Sequence, residues 1–280
     1  MVIKILQLQA MDKWKEYDLF LREARTLKNL NYKLIPQYVD FFKIEKNNDI
    51  IYCLVQEYVA GTTLEYKIKS GWRVTERIIY KITKTILNIV KYLQQFKPPV
   101  IHRDINPRNI IINDKNIIFL VDFGAVQSAA LSSRVGTQTI VGTAGYMPME
   151  QIMGRSCEAT DLYAVGVTII YLLSHTDPVD LPVKNMKIDF RAVIDVSKKF
   201  ADFLDKLIAP DVNMRFKNAV AALDFLMAID PKSKNSIIKE KLMIKMDDVK
   251  IEDPEWEHYI NDFIRDVKKR DGDLYDVNFE

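Results

Sequence analysis

Residues 1–59 carry hydrophobic patterns of two kinds. A strand pattern over residues 1–8 is followed by apolar side chains at helical spacing over residues 12–30. Two further extended segments, residues 38–44 and 50–58, are separated by a turn rich in asparagine. The pattern therefore predicts a strand, a helix and a hairpin, in that order.

The chain that follows is predicted to be mainly helical. The longest helix pattern covers residues 75–96, where Thr75 can cap the start and a Pro-Pro pair follows the end. Two short apolar strands, residues 110–112 and 117–121, flank a polar turn. Further helices are predicted over residues 160–174, 197–208 and 218–229.

The segment after Pro231 is more charged and contains one further helix pattern. Asp253 is a candidate N-cap for an amphipathic helix near residues 254–270, with Pro254 at its first position. Its apolar stripe consists of Trp256, Tyr259, Ile260, Phe263, Ile264 and Val267. We expect this stripe to dock on the main domain, and docking on a partner or a membrane is the alternative.

Composition limits the classes of partner and the compartment. Forty basic residues against 38 acidic ones leave a formal net charge of +2, whereas a nucleic-acid-binding protein normally shows a strong basic excess. Cys53 and Cys157 fit neither a metal-binding nor a disulfide pattern, as is typical of a reducing compartment. The longest apolar stretch, residues 162–173, is too short for a bilayer span. We expect a cytoplasmic protein without a signal peptide, a membrane span or a nucleic-acid partner.

Candidate chemistry is concentrated in residues 102–124. The run His-Arg-Asp-Ile-Asn-Pro-Arg-Asn is followed, after the predicted hairpin, by Asp-Phe-Gly. Asp104, Asn109 and Asp122 carry side-chain oxygens, and the hairpin can bring the last two together. Mg²⁺ prefers oxygen ligands and leaves room for phosphate oxygens. A further carboxylate beside such a site can accept a proton from an attacking hydroxyl. The pattern therefore favours phosphoryl transfer.

These two motifs together resemble the catalytic loop and the metal-binding motif of protein kinases. The resemblance implies that Asp104 orients and deprotonates the substrate hydroxyl, and that Asn109 and Asp122 hold Mg²⁺ on the phosphates of ATP. Serine/threonine kinases usually have lysine two residues after the catalytic aspartate, and here that position is Asn106. Arg108 is predicted to supply the missing positive charge at the catalytic site, although its planar fork differs from an ammonium group.

Other segments resemble the nucleotide-binding parts of the same family. By this resemblance, Lys4 on the first strand would hold the α- and β-phosphates, and Glu23 on the first helix would be its ion-pair partner. The backbone of Glu57 and Val59 would meet the edge of the adenine, and Ile111 would pack under the ring. These residues complete the predicted ATP site together with Asp122.

Residues 142–150 resemble the end of a kinase activation segment, which contacts the peptide substrate. The resemblance implies a structural ion pair between Glu150 and Arg215, and it implies that Asp161 anchors the backbone of the catalytic loop. Thr143, within the same segment, favours serine and threonine as acceptors.

The resemblance also implies a packing role for His102 and a regulatory role for Arg103. His102 is expected in a packed stack with Phe123 and Leu27. A phosphate on Thr137 or Thr139 is expected to pair with Arg103 and to order the loop, and a merely polar, solvated loop is the alternative.

The family resemblance implies an α+β, bilobal protein-kinase-like fold with a truncated N-terminal β-lobe and a mainly helical C-terminal lobe. Residues 1–59 would form the partial N-lobe, residues 60–230 the C-lobe, and residues 231–280 a charged extension. The family places two strands and a glycine-rich loop ahead of the lysine strand, whereas Lys4 is almost at the start. We expect a truncated gene model, and a degenerate kinase is the alternative.

The sequence therefore predicts a serine/threonine protein kinase, most similar in wording to bacterial and especially cyanobacterial kinases. It would transfer the γ-phosphoryl group of ATP, with Mg²⁺, to hydroxyls of a protein substrate. A pseudokinase that acts as a binding or scaffold module is the main alternative. A small-molecule phosphotransferase of kinase-like fold is disfavoured by the activation segment.

Overall fold

The computed structural model describes residues 1–8, 14–46, 49–128 and 142–229. All of these lie within one compact unit, residues 1–230. The predicted helix near residues 254–270 and the proposed phosphorylation sites Thr137 and Thr139 lie outside the described residues.

The N-terminal part is a small antiparallel sheet with one helix packed on it. Its elements are β1 (Val2–Leu8), α1 (Trp14–Asn29), β2 (Tyr38–Lys46) and β3 (Asp49–Gln56). The strands lie in the order β1–β3–β2, so the predicted strand, helix and hairpin are confirmed. Lys4, Leu54 and Phe41 form one cross-strand row. This row faces α1, since Phe20 of the helix packs on Phe41 with ring centroids 5.9 Å apart.

The C-terminal part is mainly helical, as predicted. Its helices are α2 (Leu64–Lys69), α3 (Glu76–Gln94), α4 (Met149–Ile152), α5 (Glu158–Ser174), α6 (Lys198–Leu207) and α7 (Ala219–Ala228). Thr75 caps α3 as expected, because its hydroxyl accepts a hydrogen bond from the N–H of Ile78. Helix α5 is apolar on nearly all sides and lies in the core, in contact with α3, α6 and α7.

Short strands connect the helices and position the loops. They are β4 (Thr62–Thr63), β5 (Val100–Ile101), β6 (Ile110–Ile112), β7 (Ile118–Leu120), β8 (Gln127–Ser128), β9 (Val183–Lys184) and β10 (Lys187–Ile188). Strands β6 and β7 pair as an antiparallel hairpin. The side-chain oxygen of Asn113 closes its turn by accepting from the N–H groups of Lys115 and Ile117.

The architecture is α+β, with a small N-terminal sheet followed by a helical part, and this confirms the predicted fold class. None of the described helices combines the length and the apolar character that a membrane crossing requires.

Candidate functional site

A lysine from the sheet lies between two carboxylates. The ammonium of Lys4 on β1 is 2.5 Å from an oxygen of Glu23 on α1 and 3.0 Å from an oxygen of Asp122, which follows β7. Glu23 is buried, whereas the Lys4 side chain is about a third exposed. The structure thus brings together three of the predicted nucleotide-site residues from three separate elements.

The charges of Lys4 and Asp122 stabilise each other. Burial lowers the pKa of Lys4, but the nearby carboxylates of Glu23 and Asp122 outweigh burial and raise that pKa above its usual value. For Asp122, burial is the largest single effect and raises the pKa, but Lys4 and the backbone N–H of Gly124 together outweigh burial and hold that pKa below the ordinary range. At neutral pH, the side chain of Lys4 is therefore protonated and the carboxyl group of Asp122 is ionised.

The carboxylate of Asp104 is held on both oxygens. Thr143 donates its hydroxyl to one oxygen at 2.7 Å, and the side-chain amide of Asn106 donates to the same oxygen at 3.0 Å. The amide of Asn109 donates to the other oxygen at 2.9 Å. These donors are all neutral, so they orient the carboxylate without pairing it with a cation.

Asn106 has a role that the sequence did not reveal. It is buried, and its amide nitrogen bridges Asp104 and Thr143, while its oxygen accepts from the backbone N–H of Arg108. The sequence marked this position only as a missing lysine. An asparagine two residues after an aspartate was a signal for a local side-chain hydrogen bond, but the partner Thr143 is 37 residues away in the chain.

The hairpin joins the two clusters. The backbone N–H of Val121 donates to the carbonyl of Asn109 at 2.9 Å. Asn109, before β6, and Asp122, after β7, therefore lie at the open end of this hairpin. Asp122 has a φ of 65°, in the left-handed region. A non-glycine residue in this region costs energy that the surrounding structure must offset. The strained backbone here turns the Asp122 side chain toward Lys4.

The backbone before Asp104 is anchored by a buried aspartate, as predicted. Asp161 on α5 accepts from the N–H groups of His102 and Arg103 at 2.8 and 2.9 Å. Burial raises the pKa of Asp161 to about 6, and the two N–H donors work against that increase. Arg103 has a φ of 69°, and its carbonyl accepts from the side chain of Gln151. These bonds hold the strained turn that presents Asp104.

His102 is a packed residue rather than a proton carrier. Its ring meets Phe123 edge to face with centroids 4.7 Å apart, and Leu27 is buried in the same core. Burial lowers the pKa of His102 to about 4, although Asp104 and Asp122 act in the opposite direction. The imidazole is therefore neutral in the folded protein at pH 7.

This neutral histidine predicts a pH-dependent loss of stability. The unfolded histidine titrates near its ordinary pKa of 6.5 and the folded one near 4, so the unfolded state binds the extra proton first as pH falls. Between about pH 7.5 and about pH 5, the wild type should lose about 2 kcal/mol of unfolding free energy that a His102→Phe variant does not lose. Urea unfolding at several pH values measures this difference, and His175→Asn, at a partly exposed histidine, is the control. Equal slopes for the wild type and His102→Phe would contradict it.

The predicted adenine-edge segment approaches Ile111 closely. Gly61 has a φ of 149°, and a Cβ at this position would lie 2.5 Å from the carbonyl oxygen of Ile112 and 2.8 Å from the side chain of Ile111. Only glycine fits there. Val59 is buried, and the backbone N–H of Glu57 donates to the carbonyl of Gln37. The roles of Glu57, Val59 and Ile111 at an adenine stay predictions.

The guanidinium of Arg108 is paired with a carboxylate on α2, whereas the sequence predicted a role for its charge at the catalytic site. Its Nε is 2.9 Å from a carboxylate oxygen of Glu65 on α2, and the side chain is 60% exposed. Glu65 also pairs with Lys69 at 3.1 Å. The predicted supply of positive charge by Arg108 at the catalytic site stays a prediction.

The expected structural ion pair is confirmed. Arg215 contacts both carboxylate oxygens of Glu150, at 2.6 and 3.1 Å, and its side chain is completely buried. The same guanidinium donates to the carbonyls of Ala209, Pro210 and Ala159. This pair fixes the end of residues 142–150, which carry Thr143, to the helical core.

The donor set fits a magnesium ion held partly by phosphates. The amide nitrogen of Asn109 is bonded to Asp104, so its oxygen is the atom that can meet a cation, and Asp122 adds a carboxylate. Within the described part of the chain, no group of three or more His, Cys, Asp or Glu side chains could hold a metal ion alone. A magnesium site needs only about two protein ligands when phosphate oxygens and water complete its coordination shell.

Comparisons with known proteins agree with this geometry. A family model described as protein kinase domain matches residues 1–226. The chain is 38% identical over 222 residues to serine/threonine-protein kinase B of Synechocystis sp., covering 75% of this chain and 38% of that protein. It is 35% identical over 218 residues to serine/threonine-protein kinase PknA of Nostoc sp., covering 74% and 38%. The chain thus spans well under half the length of these relatives.

Proposed function

Because the chain belongs to the protein kinase family, in its eukaryotic-type serine/threonine class, we propose that it transfers the γ-phosphoryl group of ATP to a serine or threonine hydroxyl of a protein substrate. The observation that carries this proposal is the carboxylate of Asp104, oriented on both oxygens by neutral donors. A carboxylate that is oriented but not ion-paired is suited to accept a proton.

In the proposed reaction, Asp104 accepts the proton of the substrate hydroxyl while that oxygen attacks the γ-phosphorus. The bond between the γ-phosphorus and the β–γ bridging oxygen breaks, and ADP leaves with that electron pair. Asn109 supports this step by fixing the second oxygen of Asp104. Catalysis in this reaction class is mainly positioning and charge stabilisation.

Lys4 is proposed to bind the α- and β-phosphates, held in position by Glu23. Asn109 and Asp122 would hold Mg²⁺, which would neutralise the negative charge that develops on the phosphates. The cationic state of Lys4 and the ionised state of Asp122 both support binding of a magnesium triphosphate.

The adenine is proposed to meet the backbone of Glu57 and Val59 and to lie over Ile111. The close approach of Gly61 to Ile111 supports this placement. Residues 1–59 would then be the lobe above the nucleotide and residues 60–230 the lobe below it, with residues 231–280 as a charged extension.

Thr143 supports a serine or threonine acceptor. Its hydroxyl lies 2.7 Å from Asp104, so the backbone of its segment passes close to the proposed base. A short hydroxyl side chain on a peptide that follows this segment can reach Asp104. The named relatives are serine/threonine kinases as well.

Asn106 is the observation that favours the alternative, a scaffold without catalysis. A neutral amide stands where a lysine usually neutralises the γ-phosphate, and Asn106 uses its donors on Asp104 and Thr143. Under the kinase proposal, Lys4, Arg108 and the metal ion supply the positive charge instead. The two functions differ in one measurable property, which is transfer of phosphate.

The test is transfer of labelled γ-phosphate to a general protein substrate, with phosphoamino-acid analysis of the product. The wild type should label serine or threonine in the presence of Mg²⁺. Lys4→Ala should raise the KM for ATP roughly tenfold or more, because one charge-assisted phosphate contact is lost. Lys43→Ala, which removes an exposed lysine paired with Glu45 on the same sheet, is the control and should behave as the wild type. Absence of transfer by folded wild-type protein would favour the scaffold.

A further inference from the structure

A row of basic side chains follows one face of helix α3. Arg77, Lys81, Lys84 and Lys91, here called the basic ridge, are separated by four, three and seven residues, and side chains at this spacing lie on the same side of a helix. Arg77, Lys81 and Lys84 are exposed, and Lys91 is partly exposed. At a rise of about 1.5 Å per residue, the ridge is about 21 Å long. It therefore presents a line of positive charge to solvent.

The basic ridge has no acidic counterpart within the ranges that the structure describes. None of its four side chains is in an ion pair there, whereas other exposed cations of the chain are paired, as Lys43 is with Glu45. Glu76 is the one acidic residue of α3. Its carboxylate accepts the backbone N–H and the hydroxyl of Ser197 at 2.8 and 2.5 Å. The positive charge of the ridge is therefore free to attract a partner.

The contact between Ser197 and Glu76 adds further basic residues to the same surface. Ser197 caps the start of α6, and its hydrogen bonds with Glu76 place that start beside the start of α3. Lys198 and Lys199 follow directly, and both are exposed. Positive charge is therefore densest near the N-terminal end of the ridge, where two helices contribute to it.

The surroundings of the ridge favour one class of anionic partner. Proteins that bind nucleic acid combine a basic excess with aromatic side chains that stack on bases, but this chain has a net charge of +2 and the ridge has no aromatic member. A helix that lies on a membrane inserts its apolar face into the lipid, whereas the apolar face of α3 is buried in the core. Carboxylates in a row along a protein segment match the line of charge.

We propose that the basic ridge is a docking surface for a protein partner with an acidic segment, in which glutamate or aspartate repeats at helical spacing. Exposed ion pairs contribute little individually, so binding needs several pairs in a row. Salt reaches all of them, so the affinity should fall as the salt concentration rises. The hydrogen bonds around Asp104 involve no residue of the ridge, and docking here does not depend on phosphate transfer.

The test measures binding of fluorescent peptides to the full chain by anisotropy at low salt. One helical peptide carries glutamates at the spacing of the ridge, and a second carries lysines at the same positions. The wild type should bind only the glutamate peptide. Lys81→Glu combined with Lys84→Glu should weaken this binding about tenfold or more, because two attractions become repulsions. Lys115→Glu combined with Lys184→Glu changes the net charge equally at two exposed lysines outside α3 and should keep most of the affinity.

A milder pair of substitutions separates lost attraction from added repulsion. Lys81→Gln combined with Lys84→Gln removes both charges, and its affinity should lie between those of the wild type and the charge-reversed variant. Urea unfolding shows whether each variant is folded. Equal weakening by the two charge-reversed variants would overturn the inference, because net charge alone would then explain binding. Absence of binding by the folded wild type would overturn it as well.

A single-stranded DNA oligonucleotide and vesicles of phosphatidylglycerol and phosphatidylcholine test the other anionic partners. If either bound more tightly than the glutamate peptide and lost that binding in the variant reversed at Lys81 and Lys84, an acidic protein segment would be the wrong occupant. A photoreactive group on the glutamate peptide locates the contact directly. Labelling of α3, identified by mass spectrometry, would support the inference, and labelling confined to other elements would contradict it.

Discussion

Asp104→Asn should lower kcat by about 10²–10⁴, the usual contribution of a positioned general base. The amide has nearly the same shape as the carboxylate but does not accept the proton of the attacking hydroxyl. Steady-state phosphorylation of a serine peptide at saturating Mg-ATP measures the effect. Asp114→Asn, at an exposed aspartate in the turn between β6 and β7, is the matched control and should keep the wild-type kcat.

The hydrogen bonds around Asp104 make a second variant necessary. Asn106 and Asn109 donate to different oxygens of the carboxylate, so either orientation of a new amide places two N–H₂ groups face to face. Asp104→Ala removes that conflict as well as the base. Both variants should lose kcat to a similar extent, while only Asp104→Asn carries the strain. If either folded variant kept kcat within about tenfold of the wild type, general-base catalysis by Asp104 would be wrong.

The sequence predicted those contacts whose two partners can be identified from residue type and order along the chain. The pairs of Lys4 with Glu23 and of Glu150 with Arg215 are found as expected. Opposite charges at positions that a family motif defines leave few alternative partners. Asp161 was predicted to anchor the catalytic loop for the same reason, and it bonds two successive N–H groups there.

The role of Asn106 was not predictable from the sequence. Its partner Thr143 lies in a distant segment, and a polar pair of this kind has no periodicity or charge pattern that joins its members. The contact of Arg108 with Glu65 was missed for a similar reason. Glu65 lies on α2, a helix of six residues that is too short to produce a clear hydrophobic repeat.

The helices and strands that were predicted most accurately are those with the longest hydrophobic repeat in the sequence. The helix α3 was predicted over residues 75–96 and spans Glu76–Gln94, because its apolar face repeats over five turns. The hairpin of β9 and β10 was not predicted. Each of its strands has two residues, and its turn uses Asn185 and Met186 at positive φ. Asparagine tolerates that conformation but methionine is rare in it, so the sequence carries only a weak turn signal there.

Removal of the buried guanidinium of Arg215 is expected to have the largest effect on the free energy of unfolding. Its side chain is 0% exposed and reaches Glu150 and three backbone carbonyls. Arg215→Ala leaves these acceptors, including a carboxylate, without their cation, and breaking a buried pair in this way costs about 3–5 kcal/mol. The urea midpoint of the variant, converted with the measured m-value, gives the loss directly.

An exposed arginine with a similar set of partners provides the control. Arg191 contacts Asp202 and Asp205, each at 2.5 Å, but its side chain is 43% exposed. Water can replace such contacts, so Arg191→Ala should cost no more than about 1 kcal/mol. Arg215→Lys should fall between the two alanine variants, because an ammonium keeps the charge but cannot reach acceptors on three sides at once. Equal losses for Arg215→Ala and Arg191→Ala would mean that burial of the guanidinium does not set its contribution. The end of residues 142–150 would then have to be held by packing alone.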